Sequence, residues 1–399
     1  MSIATGTDRA GTARVDNPVM KLHDSIASAQ SAWRKLEAEG VCTPYQRLGW
    51  VEAYLASGFA PPRPISVMEI LAGDKPIAVF PFEITRRFGV RIAQIIGMEI
   101  SNGDAPLFDR DHARLLTPDA LRQWFAQLPA DMVNFHCVAP RIGPDANPLA
   151  ALGGSVAPDH FYINDIEAGA APFFEQSLPH KRRSNIRRSF RRLGETFGPV
   201  RLHRAQTEAE VDAVLAVFLD QRERRFAKMG VENVFAQPAF RRFFRTLAVE
   251  GLGHKRPSIS FDALYAGDRI VATSVGTYGP HHYSQYINST ESGDASRYSL
   301  MGVTLSLLVD ELRADEVTSL DMGLGDFDYK ADWTHKQEVY DIVLPISLAG
   351  RAAAPAIRGA RSLKRRIKQT PALWNAARAV RRAVASARKR PGASKAQEK

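Results

Sequence analysis

Ser299 and Gly302 stand where a strand, a polar loop and an apolar helix follow one another, and that junction can hold an anion. The strand HHYSQYIN ends in the loop STESGDASRYS, and a helix bearing Leu300, Val303, Leu307, Leu308 and Leu312 comes next. The first N–H groups of a helix have no partner inside it and lie at the positive end of its dipole, which suits a pyrophosphate. Small side chains at Ser299 and Gly302 allow close approach, and Tyr298, Leu300 and Met301 complete the candidate loop. An ordinary capped helix would show the same spacing. Downstream comes the polar run DMGLGDFDYKADW, with Asp326, Tyr329 and Lys330 inside it. Tyr286 and Asn288 close the preceding strand. His281 and His282 follow Gly279-Pro280 at an expected turn, where histidines are usually solvated. No spacing of His, Cys and carboxylates suggests a metal site.

A second group of candidates lies on the helix LPHKRRSNIRRSFRRLGETFG. Ile186, Phe190, Leu193 and Phe197 form its apolar stripe, and Arg183, Arg187 and Arg191 form a neighbouring row at i, i+4. With Lys181, that row would bind donor phosphates, an anionic acceptor or the acceptor stem of a tRNA, unless it is a solvated face between domains.

The elements that position these residues occur twice. Ala266-Gly267-Asp268-Arg269 separates two apolar runs, a hairpin signal, and Ala72-Gly73-Asp74-Lys75 does the same about 190 residues earlier. Ile77-Ala78 then corresponds to Val271-Ala272. The spacing predicts helices over Val19–Glu39, from Thr43-Pro44, from Thr117-Pro118 and from Thr207 with its capping-box partner Glu210. The expected division is a disordered 1–20, a first unit over 21–170, a second over 171–348, and a basic helical or disordered tail over 349–399.

A chain of 399 residues, 45% hydrophobic, can form two cores. No apolar run reaches the roughly 18 residues of a membrane span, and the N-terminus lacks the apolar core of a secretory signal, so a cytoplasmic protein is expected. Cys42 and Cys137 are expected to be buried and inert. The net charge of +10 belongs to the tail: from Arg351 onward 15 Lys/Arg face one acid, Glu398. That argues against a nucleic-acid-binding body and suggests a peripheral contact of 351–399 with an anionic membrane, with Trp374 inserted.

Four segments, TPYQRLGWVEAYL, LPHKRRSNIRRSFRRL, AGDRIVATSVG and DMGLGDFDYKADW, carry a resemblance to the CelD/BcsL-type acetyltransferases of the GNAT superfamily, related in architecture to the FemAB-type aminoacyl transferases. The last is the most specific. The group reads D-x-G-x-G-D-x-x-Y-K-x-x-[WF], and this chain has Asp321, Gly323, Gly325, Asp326, Tyr329, Lys330 and Trp333 there. Ser299-Leu300-Met301 departs from the group's Ser-Pro-Gly, and the usual GNAT Gln/Arg-x-x-Gly-x-Gly/Ala loop is absent.

The resemblance implies an α/β fold of two GNAT-like units in tandem, each with a mixed sheet, the second binding the donor and the first shaping the acceptor cleft. It implies N- or O-acyl transfer from acetyl-CoA or a longer acyl-CoA to a small-molecule or glycan acceptor, without a metal, in cellulose, exopolysaccharide or envelope biosynthesis. Asp326 is then a base or acceptor-orienting carboxylate, Tyr329 an acid for the leaving thiolate, and Lys330 a phosphate or carbonyl contact; Tyr286 and Asn288 line the acyl pocket. The alternatives are a FemAB-like transferase that uses aminoacyl-tRNA and a non-catalytic adaptor of polysaccharide machinery.

Overall fold

The structure, a computed structural model, describes residues 17–167, 169, 172–229, 233–280, 282–377 and 379. Of the expected disorder over residues 1–20, residues 1–16 lie outside the described residues, as do His281 and the tail beyond 379, while Val19 and Met20 stand in a β-strand.

The first half runs β1 (Val19–His23), α1 (Ile26–Glu39), α2 (Leu48–Ser57), β2 (Ile65–Ala72), β3 (Lys75–Arg87), β4 (Val90–Ile95), β5 (Leu107–Phe108), α3 (Pro118–Phe125), β6 (Met132–Val138), the short pair β7 (Arg141–Ile142) and β8 (Asp145–Ala146), and β9 (Ser155–Asp165). The second half runs α4 (Phe173–Ser177), α5 (His180–Phe197), β10 (Val200–Arg204), α6 (Glu208–Met229), α7 (Pro238–Glu250), β11 (Ser260–Ala266), β12 (Arg269–Tyr278), β13 (His282–Thr290), α8 (Leu300–Ala314), β14 (Ser319–Asp321), β15 (His335–Pro345) and α9 (Leu348–Gln369).

Two local readings are corrected. The helix predicted from Val19 begins at Ile26. Ser25 accepts from the Ser28 N–H and caps it, while Val19–His23 pair antiparallel with β2. Thr43-Pro44 opens only a 3₁₀ turn, Pro44–Gln46, and α2 starts after Arg47.

The internal repeat extends to details of register. Ala72 pairs with Lys75 and Ala266 with Arg269 across tight turns, Gly73 and Gly267 having φ of 58° and 59°. Each hairpin then shifts register at the same point, between Ile70 and Leu71 and between Leu264 and Tyr265. In the first half β1 to β4 are antiparallel and β4 is parallel to β6. In the second half β10 to β13 are antiparallel and β13 is parallel to β14.

The halves form one sheet, ordered β1-β2-β3-β4-β6-β15-β9-β14-β13-β12-β11-β10. Its middle is exchanged: β15 pairs with β6 of the first half, β9 pairs with β14 of the second, and β9 and β15 pair with each other. A shared core joins the halves on one face. Trp50 of α2 is fully buried and meets Phe243 of α7 edge-on at 4.8 Å and Tyr286 of β13 at 5.5 Å. α9 is ordered and lies against β4, β6, β9 and β15.

Candidate active site

The parallel pair β13 and β14 holds together over only three residues, His282–Ser284 against Ser319–Asp321. Beyond Ser284 the two chains part. A cavity of about 140 Å³ lies in the opening, bordered by Gln285–Asn288 on one side and Met322–Leu324 on the other. Tyr329 and Lys330 line it from the following loop, Arg222 and Arg225 from α6, and Asn102 from the first half.

The glycine-rich run shapes this place through its backbone. The Asp321 carboxylate accepts from the Gly323 N–H at 2.5 Å. Gly323 and Gly325 have φ of 70° and 98°, in the left-handed region that β-carbons disfavour. Asn102 also lies close enough to Gly323 that a β-carbon there would stand 3.0 Å from its Nδ2. The bend aims the Gly323 and Leu324 carbonyls at Lys330, whose Nζ donates to them at 3.2 and 2.9 Å. Lys330 is buried, and burial pulls its ammonium down to about 8. An ammonium has three donors, so two carbonyls leave one N–H for a further partner.

Tyr329 accepts from Asn288 Nδ2 at 3.1 Å, and burial raises its phenol above the ordinary range. Arg222 donates to the Asn288 carbonyl. Its guanidinium lies 5.7 Å from the Phe218 ring centroid and 5.2 Å from that of Phe235. Burial, then the nearby Arg225, lowers it to about 10. A polar chain connects the site to the first half: Asn102 Nδ2 donates to the Tyr45 hydroxyl at 2.6 Å, Tyr45 and Ser284 share a bond of 2.7 Å, and Ser284 donates to Asp321 at 3.0 Å.

Tyr286, Asn288, Tyr329 and Lys330 therefore meet in one cavity. Asp326 is not among its lining residues. It accepts from the Tyr162 hydroxyl at 2.8 Å and from Gln369 of α9 at 3.2 Å, with Lys336 at 3.6 Å. Burial pushes its pKa up, but hydrogen bonds from Tyr162 and Gln369 together with the nearby His160 and Lys336 outweigh it, and its pKa is lowered. Tyr286 is spent on packing, donating to the Ile100 carbonyl at 2.6 Å with burial raising its phenol.

The candidate donor loop opens α8, where Ser299 makes no side-chain cap bond. Its N–H instead donates to Ser189 of α5 at 3.1 Å. A β-carbon on Gly302 would lie 2.6 Å from Ser299 Oγ and 3.2 Å from Ile186, so glycine is what lets α5 approach. Met301 of the first turn places its sulfur 3.7 Å from Gln285, behind the cavity. Tyr298 shares a 3.2 Å hydrogen bond with Thr196, and that bond together with Arg297 lowers its pKa.

The α5 arginine row is largely engaged within the chain. Arg183 donates to the Glu175 carbonyl, Arg187 pairs with the Glu175 carboxylate, and Arg191 lies 3.6 Å from Glu195. Lys181 is exposed.

Arg222, Arg225 and Asn102 escaped the sequence reading. Arg222 follows Val211, Val214, Leu215 and Phe218 on the buried side of α6, and a cation on an apolar stripe was the available signal. Asn102 sits in the polar run SNGD after β4, which carries no pattern of its own. Among the described residues no group of three or more His, Cys, Asp or Glu is placed to hold a metal, and no described helix is long and apolar enough to cross a membrane.

Residues 180–331 match the family model described as "Acetyltransferase (GNAT) domain". No curated protein matches the chain in sequence. FemX is similar in structure at 10% identity, with a TM-score of 0.58 over 84% of this chain and 99% of that one. The C-terminal domain of a putative lysylphosphatidylglycerol synthetase from Agrobacterium fabrum is similar at 12% identity, with a TM-score of 0.52 over 84% of this chain and 96% of that one. The two likenesses concern the fold, which runs through both halves; the match to the GNAT acetyltransferase domain model falls in the second half.

Proposed function

We propose that the protein transfers an acyl group from acyl-CoA to an amine or hydroxyl acceptor, with the bond change taking place where β13 and β14 part. The observation that carries this reading is a buried lysine and a partly buried tyrosine facing one cavity, one of whose lining residues, Gln285, meets Met301 in the first turn of α8. The first-turn amides of α8 receive the donor's pyrophosphate, and the thioester carbonyl reaches the cavity. The acceptor attacks the carbonyl carbon and loses its proton to solvent water, which later reprotonates Tyr329; the carbonyl oxygen takes up the electron pair, and collapse of the intermediate breaks the C–S bond. Lys330, protonated below about pH 8, stabilises the developing oxyanion with its remaining N–H. Tyr329 delivers a proton to the leaving thiolate. Asp326 acts at a distance, as a positioning residue that holds the 323–333 loop against Tyr162 and α9.

The CelD/BcsL resemblance suggests an acceptor from exopolysaccharide, cellulose or envelope biosynthesis and a cytoplasmic enzyme. Residues 351–399 supply a peripheral contact with an anionic membrane in the same reading. α9 is docked on the sheet, so that contact falls to its outer face and the residues after it. Co-sedimentation with neutral and anionic vesicles, with and without residues 371–399, tests it; equal binding to both vesicle types defeats the electrostatic account.

Isothermal titration with acetyl-CoA, longer acyl-CoAs and charged tRNA tests the main reading. Saturable binding of an acyl-CoA is expected, and failure of every CoA species to bind would sink it. Binding of charged tRNA alone would move the donor to the aminoacyl-tRNA alternative. An intact cellular phenotype in Lys330→Met and Tyr329→Phe would favour the non-catalytic adaptor.

A further inference from the structure

A second recess lies away from the cavity just described. The β3–β4 hairpin and α9 diverge and leave a groove of about 640 Å³, inside the range of roughly 300–1,000 Å³ typical of small-molecule sites. Its walls are apolar. Val90, Ile92 and Met98 line it from the sheet side, and Ala353, Ile357 and Ala360 from the helix. The alternation of β3 and β4 explains the sheet wall, because Thr85 pairs with Ile92 and Arg87 with Val90, which puts these side chains on one face.

The groove's charge is of one sign. Arg87 and Lys364 line it, and among the described residues neither is paired with a carboxylate. Arg361 lines it too, but is held in place by the Asn134 side chain at 2.6 Å and by Asp341 at 3.6 Å. At the hairpin tip Phe88 is 93% exposed with φ of 51°, a conformation that a bulky residue adopts at a cost. An apolar ring held in water beside an apolar groove adds to the surface that an apolar occupant would cover.

We propose that this groove binds the acyl chain of a single-chain anionic amphiphile of the lipid class, its headgroup held by Arg87 and Lys364. Charge complementarity selects this occupant. The chain's own segment after α9 is rich in Arg and Lys and would meet like charge there. A neutral chain would gain nothing from the two exposed cations. The site is independent of the acyl-transfer reading, since none of its lining residues borders the Lys330 cavity.

The test is isothermal titration of the full chain with hexadecyl phosphate below its micelle concentration, beside dodecyl maltoside as a neutral chain and butyl phosphate as a headgroup without one. Saturable one-to-one binding of hexadecyl phosphate is expected, with both comparison compounds at least about tenfold weaker. The double variant Arg87→Gln/Lys364→Gln should lose about tenfold in affinity for it. Ala360→Trp fills the groove from an exposed helix position and should abolish binding, with an unchanged near-UV circular dichroism spectrum showing that the fold survives. Equal affinity for the neutral and anionic chains would overturn the proposal. So would binding that persists in Ala360→Trp, or adsorption to phosphatidylglycerol vesicles with no binding of the monomeric amphiphile.

Discussion

Lys330 is where burial and chemistry conflict most sharply in this chain. Its pKa is brought down to about 8, so the charged form that would serve an oxyanion is also the form the protein destabilises. Two observable consequences follow. If Lys330 acts as an ammonium, kcat should fall as pH rises through about 8, and this limb should vanish in Lys330→Met, whose kcat should be lower by roughly 10²–10³, the loss typical of a removed oxyanion donor. Kinetics over pH 6 to 10, about the range a base-side limb requires, would show this. The linkage has the opposite sign for stability. Between the folded value of about 8 and the ordinary 10.5, the unfolded chain binds the extra proton, so Lys330's contribution to stability grows as pH rises through that window. Below it the full cost of the buried charge is present. Denaturant unfolding at pH 7 and 10 in wild type and Lys330→Met isolates the term: the wild type should gain on the variant at the higher pH.

At the scale of elements, the bend between β14 and β15 is the part most sensitive to substitution. Gly323→Ala places a β-carbon at φ of 70° and 3.0 Å from Asn102. A loss of about 1 kcal/mol or more in stability is expected from the conformation alone. kcat should fall with it, because the displaced carbonyl is one of the two that hold Lys330. Thermal melts and kinetics on the same sample check both; an active, fully stable variant would contradict this account of the bend. α8 offers a contrasting case. Gly302→Ala brings a β-carbon to 2.6 Å from Ser299 Oγ and 3.2 Å from Ile186, so the Ser299 side chain must turn and Ile186 of α5 must give way at the helix start. The expected result is a raised KM for acyl-CoA with kcat nearly kept, measured by thiol release at saturating acceptor. A lowered kcat at unchanged KM would move the donor away from this helix. The α5 arginines tie that helix to α4 and to its own Glu195, which is why an i, i+4 row read as a ligand site is mostly a set of internal ion pairs.

On the scale of the whole molecule, exchange of β9 and β15 makes the two halves mutually dependent. Cutting the chain after residue 170 leaves the first half without β15 beside β6 and the second without β9 beside β14. Each half would also expose its share of the core around Trp50 and Phe243. Expressed alone, either half should be insoluble or lack a cooperative melt; co-expressed, the two should co-purify. Independent folding of either half would show that the exchanged strands are dispensable.

Much of this was legible beforehand for a local reason. The AGD turns, the Ser and Thr caps and the apolar periodicities act over a few residues, so the two hairpins, most helices and the internal repeat could be read from residue order. The Val19–Glu39 helix failed because Val19–His23 are decided by an edge pairing with β2, some 48 residues away in register. The DMGLGDFDYKADW run marks one loop, but not which side of it each residue faces. Tyr329 and Lys330 turn into the cavity while Asp326 turns toward Tyr162 and α9, a choice set by the positive φ of Gly323 and Gly325 and by partners from distant strands.

The residue order by itself determined the repeat, the glycine bend and the basic end of the chain, because turn chemistry and charge are local properties. Only the tertiary structure decided that the halves trade their central strands, that Asn102 and Arg222 join Lys330 at one cavity, and that α9 leaves a groove beside Phe88. Those outcomes depend on which surfaces become buried against each other across hundreds of residues, and burial is what sets both the packing and the protonation of the groups involved.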